Sequence, residues 1–275
     1  MPMIKKVLKY TIIFVVIITG TILTFSRKEK KETFVPRDYK EIVESGTLRA
    51  VTAYNAISLH VTEDTISGFD YELLSAFAKD KGLRVDFTPE ASFENRLQGI
   101  LEGRYDVMAA TTAVTSQLKD TLNFTHTILL SKQVLVQRKK EKGKDSLFIN
   151  NQLDLAHKTI HLTKNSPALL RINNLIGEIA DTIYVKEVER YGSEHLLAMV
   201  SAGDIDYAVC EENIARASLE DFPNLDIKTD ISFTQFYSWG TNKQSTALLD
   251  TLNCWLDDYL DTKAYKKLYK KYFKR

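Results

Sequence analysis

Histidines, cysteines and paired carboxylates are the residues of this chain with catalytic or metal-ligating chemistry, and their placement excludes most of it. His60, His126, His157, His161 and His195 form no His-x-His pair, and no two share a predicted helix face as metal-binding imidazoles do. His126 and His161 fall at predicted strand or loop positions with no nucleophile beside them, which points to a structural or pocket-lining role. The acid pairs Glu211-Glu212 and Asp257-Asp258 are adjacent in sequence, so their side chains diverge instead of sharing a proton. Cys210 falls in a predicted buried strand and Cys254 in a helix beside Trp255. Both read as buried free thiols, with a disulfide left open if the chain is exported. The phosphate-binding, dinucleotide, nucleophile-elbow and zinc-protease motifs are missing from the sequence. No catalytic residue, metal or cofactor is assigned, and the expectation is binding, not turnover.

What the chain does carry is a passage that occurs twice, one hundred residues apart. Leu97, Ile100, Gly103 and Asp106 precede the apolar run 107–110; Leu197, Val200, Gly203 and Asp206 precede 207–210. Each reads as an amphipathic helix, a glycine stop and a short buried strand opened by Asp. Two such α/β units imply two lobes with a cleft between them, where small ligands sit.

Charge is distributed unevenly. The formal total is +1, but residues 1–32 carry +5 and residues 262–275 carry +7, which leaves 33–261 at −11. A body this acidic excludes nucleic acid as partner. The basic tail reads as a solvated helix end, with Tyr265, Leu268, Tyr269 and Tyr272 at helical spacing between its lysines; contact with anionic lipid or an acidic polymer is the alternative.

Lys5, Lys6 and Lys9 precede an uncharged apolar stretch from Tyr10 to Phe25. This is the pattern of a signal segment. Residues 7–25 are expected to act as an uncleaved anchor in the inner membrane, with everything after about residue 33 outside the cytoplasm. A cleaved signal peptide is the alternative.

Beyond it, residues 33–45 read as a linker, with a short helix over 38–45 closed by Gly46. Strands over 48–53, 83–88 and 107–110 alternate with helices over 70–81 and 93–102, the latter with Leu97, Ile100 and Leu101 inward. The pattern restarts with strands over 159–162, 182–188 and 207–210 and helices over 167–180, 194–201 and 212–218. An extended return over 233–239 and helices over 245–259 and 262–272 complete the chain. The domain reading is a membrane segment over 1–32, lobe 1 over 46–138, lobe 2 over 139–232, and 233–275 as the return to lobe 1 with a basic C-terminal helix.

Gly46-Thr47-Leu48-Arg49, Gly68-Phe69-Asp70-Tyr71-Glu72-Leu73 and Gly103-Arg104-Tyr105-Asp106-Val107 resemble the family 3 bacterial solute-binding proteins. The resemblance covers residues 46–273. Gly203-Asp204-Ile205-Asp206-Tyr207 and the ending Ala264–Tyr272 are similar in particular to the non-catalytic N-terminal domain of the membrane-bound lytic murein transglycosylases F. The implied fold is the two-lobed, hinged type II periplasmic-binding α/β fold. The sequence stops at Arg275, before the place of those proteins' catalytic domain, so a binding module and not an enzyme is expected.

The resemblance also implies a site. Tyr54 and Asn55 follow the first strand, where relatives line the cleft. Thr111, Thr112 and Ala113 stand on the loop after the third strand, with Ala113 where relatives carry a hydroxyl. Leu118 stands where they carry an Arg that clamps the ligand carboxylate. Asn165 and Ser166 belong to a turn at a helix N-terminus, which holds an anion on backbone N–H groups in the family. Glu211 stands where an acid grips the ligand amine; its other reading is a helix-start carboxylate favoured by the dipole. Asp106 and Asp206 are read as loop-fixing residues. The expected function is closure of two lobes over a small polar solute: a peptidoglycan fragment, a peptide or an amino-acid-like molecule. A transporter, peptidoglycan or a cell-wall enzyme are the implied partners. The alternative is a ligand-free regulatory or adaptor subunit of a cell-wall enzyme.

Overall fold

Two runs of alternating strand and helix give two sheets. The computed structural model describes residues 34–63, 65–140, 147–189 and 191–273. Every element named below belongs to the compact unit Val35–Arg275. The predicted anchor, 7–25, lies outside the described residues; among those described, no helix is long and apolar enough to cross a membrane.

Helix α1 (Tyr39–Ser45) is capped by Asp38 in a reciprocal box with Glu41 and closed by Gly46 at φ 66°. The expected linker over 33–45 is therefore largely structured: Ile42 is fully buried, and Asp38 also accepts from Leu248 N at 2.7 Å. Strand β1 (Thr47–Thr52) leads through the hairpin β2 (His60–Thr62) and β3 (Thr65–Ser67) to α2 (Phe69–Asp80). Then follow β4 (Arg84–Pro89), α3 (Phe93–Leu101), β5 (Val107–Ala113), α4 (Ser116–Thr121), β6 (Leu122–Phe124) and β7 (Leu129–Ser131). Next come β8 (Gln133–Arg138), a 3₁₀ turn (Gln152–Leu155), β9 (Thr159–Thr163), α5 (Ala168–Ile179), β10 (Tyr184–Val188), α6 (Ser193–Ala202), β11 (Tyr207–Glu211), α7 (Glu212–Ala217) and β12 (Leu225–Asp226). The chain ends with β13 (Gln235–Asn242), α8 (Thr246–Tyr259) and α9 (Lys263–Phe273).

The first sheet has the order β4-β1-β5-β13-β6, with β7 also on β13; the second has the order β10-β9-β11-β8-β12. In each, three parallel strands are joined by helices and flanked by an antiparallel strand that arrives from the other half. The chain thus crosses twice, between β7 and β8 and again before β13. The two crossings are tied: Gln133 N donates to Ser232 Oγ at 2.9 Å, and Ile231 N to Gln133 O at 2.8 Å. This places Gln133–Arg138 in the second sheet, paired with β11 and β12, and not in lobe 1, whose expected span of 46–138 included it.

Both sheets are buried on both faces, as parallel sheets require. Phe69, Phe77, Trp239 and Leu252 pack on one face of the first sheet, and Val51, Ile100 and Met108 on the other. Ile160, Ile172 and Tyr207 pack on one face of the second, and Leu196, Leu197 and Ala208 on the other. Each such side chain contributes roughly 1.5–3 kcal/mol of burial. The sequence repeat is the shared half-unit: α3 and α6 each end at a glycine in the left-handed region, Gly103 at φ 75° and Gly203 at φ 89°. The helices then feed β5 and β11, the parallel neighbours of β1 and β9.

Candidate functional site

The cleft is built where the carboxyl ends of the parallel strands of both sheets converge, the general ligand position of open α/β sheets. Ala53, Tyr54 and Asn55 follow β1, Ala91 follows β4, and Ala110–Thr112 end β5. From the other sheet come Thr163 at the end of β9, Ser166 and Pro167 before α5, Gly192 and Ser193 at the start of α6, and Glu211 at the end of β11. The cavity volume of the cleft is about 50 Å³, well below the roughly 300–1,000 Å³ common for small-molecule sites, so a solute enters only when the halves part. The halves touch across it: Ala56 N donates to Glu194 Oε1 at 2.7 Å, and Lys164 Nζ lies 3.2 Å from Glu94 Oε2.

Of the eight site residues expected from the sequence, Tyr54, Asn55, Thr111, Thr112, Ser166 and Glu211 line this cleft. Ala113 does not: it is fully buried in β5 opposite Tyr237. Asn165 does not either. It takes the left-handed conformation at φ 55° and donates its N–H to Glu187 Oε1 at 2.9 Å, so it shapes the turn that presents Ser166. Several lining groups are already engaged. Asn55 Oδ1 accepts from Ile57 N and Ser58 N, Thr112 Oγ1 donates to Ala110 O, and Ser166 Oγ accepts from Ala168 N. Glu211 Oε2 accepts from Ser193 Oγ at 3.4 Å, and the side chain makes no capping hydrogen bond to the α7 N-terminus that it precedes.

Arg96 lines the cleft and was not anticipated. The buried face of α3 is Phe93, Arg96, Gly99 and Ile100, whereas Leu101 turns outward, 38% exposed. The spacing i, i+3, i+7 of 93, 96 and 100 is the one sequence signal of it. Burial pulls the guanidinium down to about 10, opposed by the carboxylates of Glu211, Glu90 and Asp70. Asp70 sits beneath, fully buried. Desolvation pushes its carboxyl up to about 6 although Trp239 Nε1 donates to it at 2.7 Å and Thr111 N at 3.2 Å. It shapes the end of β5 and is not part of the lining.

The histidines stand apart from the cleft. His126 pairs with Asp257 at the surface, and His161 Nδ1 lies 3.2 Å from Tyr207 O. Among the described residues, no cluster of three His, Cys, Asp or Glu could hold a metal ion. Cys210 is buried and burial pushes its thiol up; Cys254 is exposed on α8, not buried as its place beside Trp255 suggests, since only Trp255 of the two faces the core. Both are free. Asp106 and Asp206 fix loops: Asp106 lies between Arg37 and Arg49, and Asp206 pairs with Arg138.

The architecture is shared with solved solute receptors. A mutant of ArgBP from T. maritima superposes with a TM-score of 0.74 at 22% identity, covering 86% of this chain and 99% of that one. An ancestral arginine-binding protein bound to arginine gives 0.72 at 24%, covering 83% and 98%. Among curated proteins, membrane-bound lytic murein transglycosylase F of Alteromonas mediterranea is 26% identical over 229 residues, and that of Desulfosudis oleivorans 24% over 234. These alignments take 83% and 85% of this chain but 49% and 50% of the relatives, so the chain spans about half the length of the curated relatives that it matches. The model of the bacterial extracellular solute-binding proteins, family 3, matches residues 48–275, and the chain belongs to that family.

Proposed function

We propose that this protein binds a small polar solute outside the cytoplasm by closing its two halves over the cleft, and that it does so without chemical turnover. The observation that carries this reading is the cleft itself: polar groups from both sheets face one volume, and the halves meet across it through Ala56–Glu194 and Lys164–Glu94. A ligand touching both halves favours the closed arrangement by its differential affinity. The crossings around Lys132 and Thr234 are the hinge, since they alone among the described residues connect the two sheets. Glu211 takes the cationic end of the ligand. Amino-acid-like solutes fit best, given that solved proteins of this fold are described as bound to arginine or glutamine; peptides and peptidoglycan fragments follow from the transglycosylase relatives. Residues 7–25 anchor the chain in the cytoplasmic membrane, and the partner is a membrane transporter or a cell-wall enzyme.

The test is thermal unfolding of the purified full chain, in detergent, against amino acids, small peptides and muropeptides. A solute at a hundred times its Kd adds about 2.7 kcal/mol, which raises Tm by roughly 5–10 °C for a body of this size. A dose-dependent rise for one class, reduced in Glu211→Gln, supports the reading. No rise at millimolar concentrations of any class would turn it towards a ligand-free adaptor of a cell-wall enzyme.

A further inference from the structure

Arg96 is 8% exposed, lines the cleft, and is held in a fixed orientation by one nitrogen only. Its Nη1 donates to Glu90 O at 2.6 Å and to Ala91 O at 2.9 Å, two carbonyls of the turn between β4 and α3. Its Nε is buried and has no hydrogen-bond partner. The stem is set by α3, whose inner face packs Phe93 and Ile100 into the core, and the guanidinium carbon lies 5.7 Å from the Phe93 ring centre.

A guanidinium offers a carboxylate its Nε–Nη2 edge as a planar two-donor fork. This protein uses that edge twice elsewhere. Arg37 and Arg49 each present Nε and Nη2 to the Asp106 carboxylate, with Nη2 contacts of 2.5 and 2.6 Å. At Arg96 the same edge has no carboxylate on it. Glu211, Glu90 and Asp70 are near enough to be felt, yet none forms an ion pair with it. A buried guanidinium with an unused donor is costly to leave so, and here the unused edge belongs to a residue that lines a volume walled by both sheets.

We propose that Arg96 holds the carboxylate of the bound solute through its Nε–Nη2 edge, with Glu211 on the opposite sheet taking a cationic group. The ligand class is then a zwitterion with a free carboxylate, and its anion is gripped from α3, after the second parallel strand, in place of α4, where Leu118 is apolar and buried. The assignment rests on the reading of the cleft as a solute site. A phosphate monoester would offer the same oxygens; the planar two-donor edge and the acid across the cleft favour a carboxylate beside a cation.

The experiment is isothermal titration of the full chain with L-arginine, L-glutamine and Ala-Ala, with L-argininamide and the C-terminal amide of Ala-Ala, and with inorganic phosphate. It is repeated on Arg96→Met and Arg96→Lys, with Tm recorded without ligand. Expected are binding of at least one acid by the wild type, loss of roughly 10- to 100-fold for its amide and in Arg96→Met, and an intermediate loss in Arg96→Lys, which keeps the charge and loses the fork. An amide that binds as well as its acid, or an unchanged Arg96→Met, overturns the assignment and leaves the solute-binding reading standing. Phosphate as the sole binder overturns the carboxylate class. A wild type that binds none of these overturns the assignment, and the muropeptide arm of the thermal unfolding test then decides the solute-binding reading. The amide comparison needs no variant, so it decides even where Arg96→Met fails to fold.

Discussion

The N–H of Ala56 donates to Glu194 Oε1 at 2.7 Å, a bond between residues 138 apart in sequence and on opposite halves of the body. Burial raises the Glu194 carboxyl above its ordinary value, and this bond is the largest force drawing it back. The contact ties the first turn of α6 to the loop after β1.

Glu194→Ala is expected to favour the open arrangement by about 1–2 kcal/mol, the worth of one charge-assisted bond that is partly solvated. Small-angle scattering should give a larger radius of gyration for the variant. An equal radius in both proteins would mean that the bond does not hold the halves together.

The two loop-fixing aspartates should differ sharply in cost. The Asp106 side chain is fully buried and accepts from Arg37, Arg49 and the Arg49 backbone N–H, so Asp106→Ala strands the Arg49 guanidinium and leaves Arg37 with only Ser45 Oγ and Thr47 O. A loss of about 3–5 kcal/mol is expected. Asp206 is half exposed, and its partner Arg138 keeps its bonds to Val200 O and Ile205 O, so Asp206→Ala should cost under about 1 kcal/mol. Urea unfolding of both variants measures the contrast; equal losses would refute it.

Asp70 makes stability depend on pH in the opposite sense to most carboxylates. Its folded pKa is raised from 3.8 to about 6, so the native state binds the proton more tightly than the unfolded chain. Stability is therefore lost as pH rises through this window, by about 2 kcal/mol between pH 4 and 6. Asp70→Asn should remove this component while keeping an acceptor for Trp239 Nε1. Matched Tm curves for wild type and variant over pH 4–7 check it, and parallel curves would contradict it.

Gly68 precedes α2 at φ 151°, and a Cβ there would run into the Ser58 carbonyl and the Leu59 backbone. Neither can move, because Phe69 N and Tyr71 N are bonded to Ile57 O and Ser58 O. Gly68→Ala is expected to lose at least about 2–3 kcal/mol, read as a fall in the urea midpoint with an unchanged slope. A midpoint within error of wild type would show that the turn can relax.

Much of the fold was legible because it is written in local patterns. The 3.6-residue period of α2 with Leu74, Phe77 and Ala78, the Asp38 cap, the Gly46 stop and the paired Gly103 and Gly203 stops each act within a few residues. The hairpin β2–β3 was missed because its strands are three residues each and largely exposed, leaving no apolar alternation to read. Cys254 and Leu101 were placed on the wrong side because a helix with apolar residues on adjacent positions does not say which of them meets a neighbour.

The sequence by itself determined two α/β half-units, most of their helices and strands and the acidic body, since these follow from period, caps and composition; the six cleft residues it named came from the family resemblance. Only the tertiary structure decided that β8 belongs to the second sheet, because strand pairing is a long-range choice among equally apolar runs. It alone turned Arg96 inward with its Nε unpaired, since whether an arginine on a helix meets water or a core depends on what packs over it. And it alone set Glu211, 115 positions further along, on the same small volume, because burial and proximity are properties of the packed chain and not of any stretch of it.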